Sequence, residues 1–457
     1  MKVLKFGGTS VGTIESLRNV KDIVENIEEP AVVVVSALGG LTDKLIATAS
    51  KASSGDDTYK DDMGAIRTRH HDIMAGVVAD ADREECNAKV NVLLDELERL
   101  YEGVRLIGDL PAKTLDAIVS YGERMSSVIV SAMLTSSTHV DSLKIVKTEK
   151  WYGKNIADTK LTDENIRAHI QPEKGKPIIA GGFISTDRDS GDITNLGRGG
   201  SDYTAALIAA ALDAQLLEIW TDVDGFMTSD PRIIPEARII PMMSFVESME
   251  LCSFGAKVIY PPTIYPVFHK NIPIKILNTF NPTAPGTLIR DFQHKELKGQ
   301  GRVRGLSALK GTALINLRGS LAQNVAAVSS RTFNSLAGKG ISVFLVSPIE
   351  ESDCFSFALK EGDMEAAKTL IKKEFAPEIS CGLITDVENR DGLSIVAIVG
   401  EEILSDGYIS PRITNTLERA SISPVAISEG ASRTTVTFSV PEKDTNTTLR
   451  LIHSLFF

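Results

Sequence analysis

The sequence predicts an α/β protein with a mostly parallel central sheet, followed by two small α+β modules. Three observations predict it. Ala31-Val32-Val33-Val34-Val35 is a continuous β-branched run, the pattern of a parallel strand buried on both faces. Apolar strands repeatedly run into glycine turns that open helices. Beyond residue 310 the chain repeats itself with an offset of 81 residues.

Bulk properties narrow the function. At 457 residues the chain exceeds one ordinary core, so two or three domains are expected. A net charge of −11 argues against general nucleic-acid binding, which needs a basic face. The four cysteines, Cys86, Cys252, Cys354 and Cys381, form no CxxC pair, which fits reduced thiols and disfavours a zinc ribbon. No apolar run reaches membrane-spanning length, and Met1 onward reads directly as a strand. A cytoplasmic location is expected.

In chain order, Val3-Leu4-Lys5-Phe6 is a strand leading into Gly7-Gly8-Thr9-Ser10. Ile14, Leu17, Val20, Ile23 and Val24 then recur at helical spacing. Strand, glycine turn and helix make the phosphate-cradling layout. Lys5 lies inside the apolar strand, so it either faces an anion or sits on an exposed edge. The valine strand ends in a second glycine loop, Ser36-Ala37-Leu38-Gly39-Gly40-Leu41-Thr42-Asp43. Two such loops point to ligands at the strands' carboxyl ends. Residues 51–63 read as a polar surface loop, and 65–108 as helical with a Val90, Leu93, Leu94, Leu97, Leu100 stripe. His70 and His71 read as surface residues. Glu123 lies in an apolar helix, where either an ammonium partner or an ordinary ion pair would suit it.

Lys176 to Phe183 is another strand ending in glycines. The richest stretch follows, Leu196-Gly197-Arg198-Gly199-Gly200-Ser201-Asp202, opening an alanine-rich helix. Its glycines let backbone N–H groups approach a ligand, the helix start favours anions, and Arg198 offers a planar fork for a carboxylate or phosphate. Asp202 there suits an ammonium or a metal. After the strand Leu217–Trp220 come Thr221-Asp222-Val223-Asp224-Gly225-Phe226-Met227 and Asp230-Pro231-Arg232, turn-rich and acidic, plausible for a nucleotide or metal–phosphate. Phe254-Gly255-Ala256-Lys257-Val258 adds a second lysine beside a glycine, and Ile272–Ile276 a further strand. Residues 290–304 carry no apolar period and mark a domain boundary.

In the repeat, 311–359 aligns without a gap on 392–440, with ten identities in 49 pairs. Gly319 falls on Gly400, Ser329 on Ser410, Arg331 on Arg412 and Phe357 on Phe438. Each copy reads strand, helix, strand, strand, with a further helix after the first.

Glycine loops, two lysines and an aspartate fit phosphoryl transfer, which needs positioning and cations more than covalent chemistry. The GxxxxGK[ST], HRD, DFG and GxGxxG patterns are absent. Lys5-Phe6-Gly7-Gly8-Thr9-Ser10, the Gly197–Asp202 loop, Thr221-Asp222-Val223-Asp224-Gly225, Asp230-Pro231-Arg232 and Phe254-Gly255-Ala256-Lys257 together resemble aspartate kinase, of the amino-acid kinase superfamily. The resemblance covers the whole chain, and the C-terminal modules look like ACT domains. It comes closest to the kinase half of bifunctional aspartokinase–homoserine dehydrogenases. Whether the chain stands alone or is part of a longer polypeptide stays open.

The resemblance implies a three-layer αβα kinase domain over 1–292 and ferredoxin-like ACT domains over 305–390 and 391–457, consecutive or interleaved. It implies ATP-dependent phosphorylation of L-aspartate to 4-phospho-L-aspartate, the first step toward lysine, threonine and methionine. By motif match Lys5 and Lys257 stabilise the phosphates, and Asp202 orients the lysines without acting as a base. Gly7, Gly8 and Ser10 line the phosphates, and Thr221, Asp222, Met227, Arg232, Lys257 and Val258 contact the nucleotide. Arg198 clamps the substrate carboxylate and Glu123 its ammonium, with Ser36, Thr42, Phe183, Gly199, Gly200 and Ser201 completing the pocket. Magnesium is expected on the ATP phosphates, with no direct protein ligand.

Met227 replaces a tyrosine common in the family, which keeps a packing surface and drops a hydroxyl. Effector contacts are expected at Gln323, Asn324, Val325, Ser329, Val343, Phe344, Ser347 and Glu350. Phe344 stands where the family often has an acid, which favours threonine over lysine as effector. A homodimer or dimer of dimers through the ACT modules is expected. Two rivals remain at this stage: another superfamily kinase acting on glutamate or N-acetylglutamate, and a non-catalytic amino-acid sensor.

Overall fold

The structure, a computed structural model, describes residues 1–151, 154–292, 302–320, 325–349, 354–401, 403, 409–429 and 433–457. The chain divides into two compact units. The first comprises 1–226, 241–245 and 258–292, and the second 227–240, 246–257 and the chain beyond 292.

The first unit is built on an eight-stranded sheet. Across it the strands run Met242–Met243, Thr287–Ile289, Ile274–Asn278, Leu216–Thr221, Lys2–Phe6, Ala31–Val35, Ile178–Gly181 and Thr138–Val140. Every pairing is parallel except that of Ile274–Asn278 with Thr287–Ile289. Strand alternation divides the central side chains between the faces. Leu4, Phe6, Val33 and Val35 enter a core with the helices Ile14–Glu25, Leu41–Ser54, Tyr59–Val77, Asp80–Ile107 and Ala112–Met133. Lys5 faces the other way, toward the helix Gly200–Ala211. A four-stranded sheet, in the order Lys154–Ala157, Lys147–Trp151, Ile184–Asp187, Ile193–Asn195, completes the unit.

Two sequence expectations are corrected here. Residues 51–63 are not a loop: the helix Leu41–Ser54 ends at Gly55, left-handed at φ 82°, and the next helix begins at Tyr59. Their polar residues form the outer faces of these helices, while Ala49, Ala52, Tyr59 and Met63 are buried. His70 is not a surface residue. Helical spacing places it in line with Met63, Ile66, Ile73 and Met74, and it is fully buried, its Nδ1 bonded to Ile66 O at 2.7 Å. His71 is half-buried and bonds Asn91 at 2.8 Å.

The second unit carries a six-stranded antiparallel sheet in the order Val343–Ile349, Cys354–Lys360, Gly305–Arg318, Asp386–Val399, Thr435–Pro441, Ala426–Glu429. Its two central strands pair Gly305 with Val399 and Arg318 with Asp386. The offset of 81 carries Gly305 onto Asp386 and Arg318 onto Val399, so the repeat becomes a local twofold relation between these strands. Each module therefore trades half a strand with the other. Residues 312–318 lie in the first module's core through Ala313, Ile315 and Leu317. Leu306, on the first half of the same strand Gly305–Arg318, lies in the second module's core with Val396, Ile398, Phe438 and Ile452, joined by Ile234 and Val303. The second copy also ends in a helix, Thr445–Phe456, which the repeat reading had assigned only to the first. Most of the boundary segment 290–304 lies outside the described residues.

Candidate active site at the carboxyl edge of the parallel sheet

The sheet's hydrogen-bond ladder runs one residue past the strand ends. Gly7 N donates to Trp220 O at 3.1 Å, Ser36 N to Phe6 O at 3.1 Å, Gly182 N to Val35 O at 2.8 Å and Thr279 N to Thr221 O at 2.9 Å. Gly7, Ser36, Gly182 and Thr279 are thus set side by side along one edge, with the glycine loops beyond them.

The helix Gly200–Ala211 starts at this edge. Its cap residue Gly199 has φ 71°, Gly200 N donates back to Gly197 O at 3.0 Å, and no side chain among the described residues caps the next two N–H groups, of Ser201 and Asp202, which suits them to a ligand. Asp202 lies in its first turn, and its Oδ1 meets Lys5 Nζ at 2.6 Å. Both side chains are about nine-tenths buried. The lysine inside the strand thus pairs with an acid and not with solvent, because its face of the sheet is covered by this helix.

Strand end and helix start fit closely at Gly182. A β-carbon there would lie 2.6 Å from Ser201 Cα, so only glycine permits the approach. The next residue, Phe183, takes a left-handed backbone at φ 67°, unusual for a bulky side chain. Its N–H donates to Thr204 Oγ1 at 3.1 Å, and Thr204 Oγ1 donates to Gly200 O at 3.0 Å. Thr204 therefore holds Phe183 against the helix start.

Glu123, on the helix Ala112–Met133, is buried. Its Oε1 accepts from Ala37 N at 3.1 Å and its Oε2 has no hydrogen-bond partner among the described residues. Burial pushes its carboxyl up to about 8, against lowering by the Ala37 N–H and by the Lys5 charge. A buried carboxyl oxygen in this position suits a cation such as an ammonium group. Ser126 Oγ fixes Ser36 O at 2.7 Å beside it. Arg198 is exposed in the glycine loop, and Thr42 occupies the first turn of the helix Leu41–Ser54.

Other expected positions are placed differently. Ser10 is fully buried, and its Oγ meets Thr279 Oγ1 at 2.7 Å, tying the first glycine turn to a strand end. Thr221 Oγ1 donates to Asp222 at 3.2 Å. Val258 belongs to the first unit, while Met227, Arg232 and Lys257 belong to the second. Met227 bridges Ile239, Arg232 forms a two-armed pair with Asp230, and Lys257 is exposed.

Among the regulatory candidates, Gln323, Asn324 and Glu350 lie outside the described residues, as do the side chains of Val325 and Ser347. Ser329 is half-buried on the helix Val325–Ala337. Val343 packs on the first module's core, and Phe344 on the sheet beside Leu314, Leu345 and Leu393.

A cation–carboxylate pair at a helix start, framed by glycine loops and a buried acid, can hold anionic groups and offset charge that develops on them. Comparison with known proteins specifies the family. The amino acid kinase family matches residues 1–278, and an ACT domain matches 396–456. Lysine-sensitive aspartokinase 3 of Escherichia coli is 31% identical over 466 residues, covering 100% of this chain and 99% of the relative. The chain belongs to the aspartokinases, within the amino acid kinase family. The bifunctional aspartokinase/homoserine dehydrogenase of Haemophilus influenzae is 33% identical over all of this chain, which spans 56% of that relative's length. About half the length is likewise spanned in the bifunctional relatives from carrot and Arabidopsis. The crystal structure of E. coli aspartokinase III in complex with aspartate and ADP superposes with a TM-score of 0.83, at 29% identity and 99% coverage of both chains.

Three residues at this edge escape sequence reading: Thr204, Thr279 and Tyr260. A β-carbon on Gly199 would lie 2.2 Å from Tyr260 Cβ, so the tyrosine lies directly on the glycine loop. None of the three stands out by motif or spacing. Only the fold brings them to the edge.

Proposed function

We propose that the chain transfers the γ-phosphoryl group of ATP to the side-chain carboxylate of L-aspartate, giving 4-phospho-L-aspartate and ADP. The buried Lys5–Asp202 pair at a helix start carries this reading. A bond forms between the γ-phosphorus and an aspartate carboxylate oxygen while the bond to the β,γ-bridging oxygen breaks, and the electron pair leaves on ADP. The nucleophile is already an anion, so no general base is required. Lys5 and Lys257 offset the charge on the moving and departing phosphates, and Asp202 orients Lys5. Loss of one such contact typically raises the barrier by about 3–4 kcal/mol.

Arg198 holds the α-carboxylate and Glu123, ionised, the α-ammonium. Ser36, Thr42, Phe183, Gly199, Gly200 and Ser201 close that pocket. Gly7, Gly8 and the first N–H groups of Gly200–Ala211 suit phosphate oxygens, while Thr221, Asp222, Met227, Arg232 and Val258 serve the nucleotide. Ser10 acts through its bond to Thr279, holding the first turn. Magnesium comes bound to the phosphates and neutralises part of their charge. The catalytic domain covers 1–292, and the two modules, over 305–390 and 391–457 with strand halves exchanged, bind a feedback amino acid and join subunits. Threonine is the effector favoured by Phe344, and a cytoplasmic location suits a biosynthetic enzyme of this kind.

The test is ADP release with aspartate, glutamate or N-acetylglutamate as acceptor, with and without threonine, lysine and methionine. Release with aspartate alone, suppressed by threonine, is the expected result. Equal or greater release with another acceptor overturns the substrate, and lysine inhibition without a threonine effect overturns the effector.

A further inference from the structure

One side chain outside the reading above ties the two glycine loops together. Arg69 sits half-buried on the helix Tyr59–Val77. Its Nη2 donates to Gly12 O at 3.1 Å and to Gly39 O at 2.8 Å. Gly12 closes the turn that follows the Lys5 strand, and Gly39 lies in the loop between Ser36 and Thr42. Inside this clasp the loops touch. A β-carbon on Gly39 would lie 3.0 Å from Gly8 O, too close for any other residue without a shift.

We propose that Arg69 is a positioning residue that sets the register of the two glycine loops, and so holds the ATP-phosphate and aspartate pockets in one geometry. The proposal rests on the phosphoryl-transfer reading of that edge. In a trans peptide the C=O and the following N–H point in opposite directions. Drawing Gly39 O toward Arg69 therefore turns the Gly40 N–H the other way, at the start of Leu41–Ser54. Gly40 caps that helix with no side-chain bond, and the backbone bonds around it, Leu41 N to Leu38 O at 2.8 Å and Lys44 N to Gly40 O at 3.2 Å, hold the residues on either side of the Gly39–Gly40 peptide. On the first loop, holding Gly12 O directs Thr13 N–H to Ser16 Oγ at 3.1 Å, inside the capping box that opens Ile14–Glu25.

A guanidinium suits this task because one terminal nitrogen carries two N–H groups in a fixed plane, and its charge strengthens both bonds. Glycines have no side chain to restrain them, so without the clasp both loops gain freedom while the packed sheet beneath stays formed. A misplacement of ~1 Å at such a site lowers the rate by ~100-fold.

The signature is a joint effect on both substrates, which a residue touching one of them does not give. Arg69→Met keeps the apolar stem, Arg69→Lys keeps the charge with a shorter reach, and Arg69→Ala leaves room for added guanidinium. Relative to wild type, Arg69→Met is expected to lower kcat at least ~10-fold and to raise KM for ATP and for aspartate together. Arg69→Lys is expected to recover part of the loss, and guanidinium at ~10 mM to raise the Arg69→Ala rate but not that of wild type. The proposal is overturned if Arg69→Met stays within about twofold of wild type in all three constants, or if only one KM moves. It is also overturned if guanidinium leaves the Arg69→Ala rate unchanged. Wild-type enzyme without aspartate-dependent ADP release would sink the phosphoryl-transfer reading instead. The clasp is then read by amide exchange at two hydrogen-bonded amides, Leu41 N–H and Thr13 N–H, where Arg69→Met should speed exchange at least ~10-fold, and unchanged exchange rejects it.

Discussion

Lys5 Nζ and Asp202 Oδ1 stand 2.6 Å apart, one on the second-face side of a central strand and the other in the first turn of the helix that covers it. The pair is shut in on both sides, so each charge depends on the other for its place. Lys5→Ala is expected to lower kcat by ~100-fold or more with little change in either KM. Asp202→Asn keeps the shape and leaves Lys5 without its counter-charge, and is expected to lower kcat by ~10-fold or more. Steady-state kinetics decide, and a KM-only effect in both variants would remove the pair from the chemistry.

Arg198 is exposed in the open loop and tests a different function. Arg198→Ala is expected to raise KM for aspartate at least ~10-fold while KM for ATP stays within about twofold. The reverse pattern would assign the loop to the nucleotide.

Glu123 has its carboxyl pushed up to about 8 by burial, so in the free enzyme it is largely protonated at neutral pH. An ammonium group arriving at Oε2 favours the ionised form. Aspartate binding at about pH 7 should therefore release close to one proton, readable by calorimetry in buffers of different ionisation enthalpy. Glu123→Gln should bind more weakly and release none. The linkage also has a stability side. Because the folded value lies above the unfolded one of 4.5, the contribution is present at low pH and lost as pH rises toward about 8, so Glu123→Gln should gain on wild type as the free enzyme is made alkaline.

His70 has the opposite sign. Burial lowers its folded value from 6.5 to about 4, and its Nε2 has no hydrogen-bond partner among the described residues. The unfolded chain takes up the proton first, so stability present above 6.5 is lost as pH falls toward about 4. The full effect is roughly 3 kcal/mol. His70→Leu should flatten that part of the profile, measured as urea midpoints at about pH 7 and about pH 4.5. Parallel profiles for the two proteins would reject the assignment.

The exchanged strands predict where module folding fails. Leu306 is buried with Val396 and Phe438, although its strand Gly305–Arg318 opens the first module. A fragment of 391–457 should stay unfolded, while 302–457 should fold. Leu306→Ala should destabilise the second module by about 2–5 kcal/mol and leave the first nearly unchanged. Circular dichroism and amide exchange on the fragments read this, and a folded 391–457 fragment would contradict it.

The sequence alone determined the fold class, the order of glycine loops and the 81-residue repeat, because each is a local signal. A β-branched run, a glycine beside a helix start and an apolar period are decided by neighbours a few residues apart. It also singled out Lys5, Asp202, Glu123 and Arg198 as charges in places that ask for a partner. Which partner each has was decided by tertiary structure. Lys5 had two open readings, edge lysine or anion partner, until the Gly200–Ala211 helix covered its face of the sheet. His70 reads as polar and surface-bound by type, yet the 3.6-residue period of its helix turns it into the core, where burial outweighs its hydration. Arg69, Thr204, Thr279 and Tyr260 carry no pattern, since their roles consist of hydrogen bonds and contacts to residues far away in sequence. Whether the modules were consecutive or interleaved stayed open in the sequence, because an antiparallel pairing of two like strands depends on register across the sheet, and register is a property of the assembled chain.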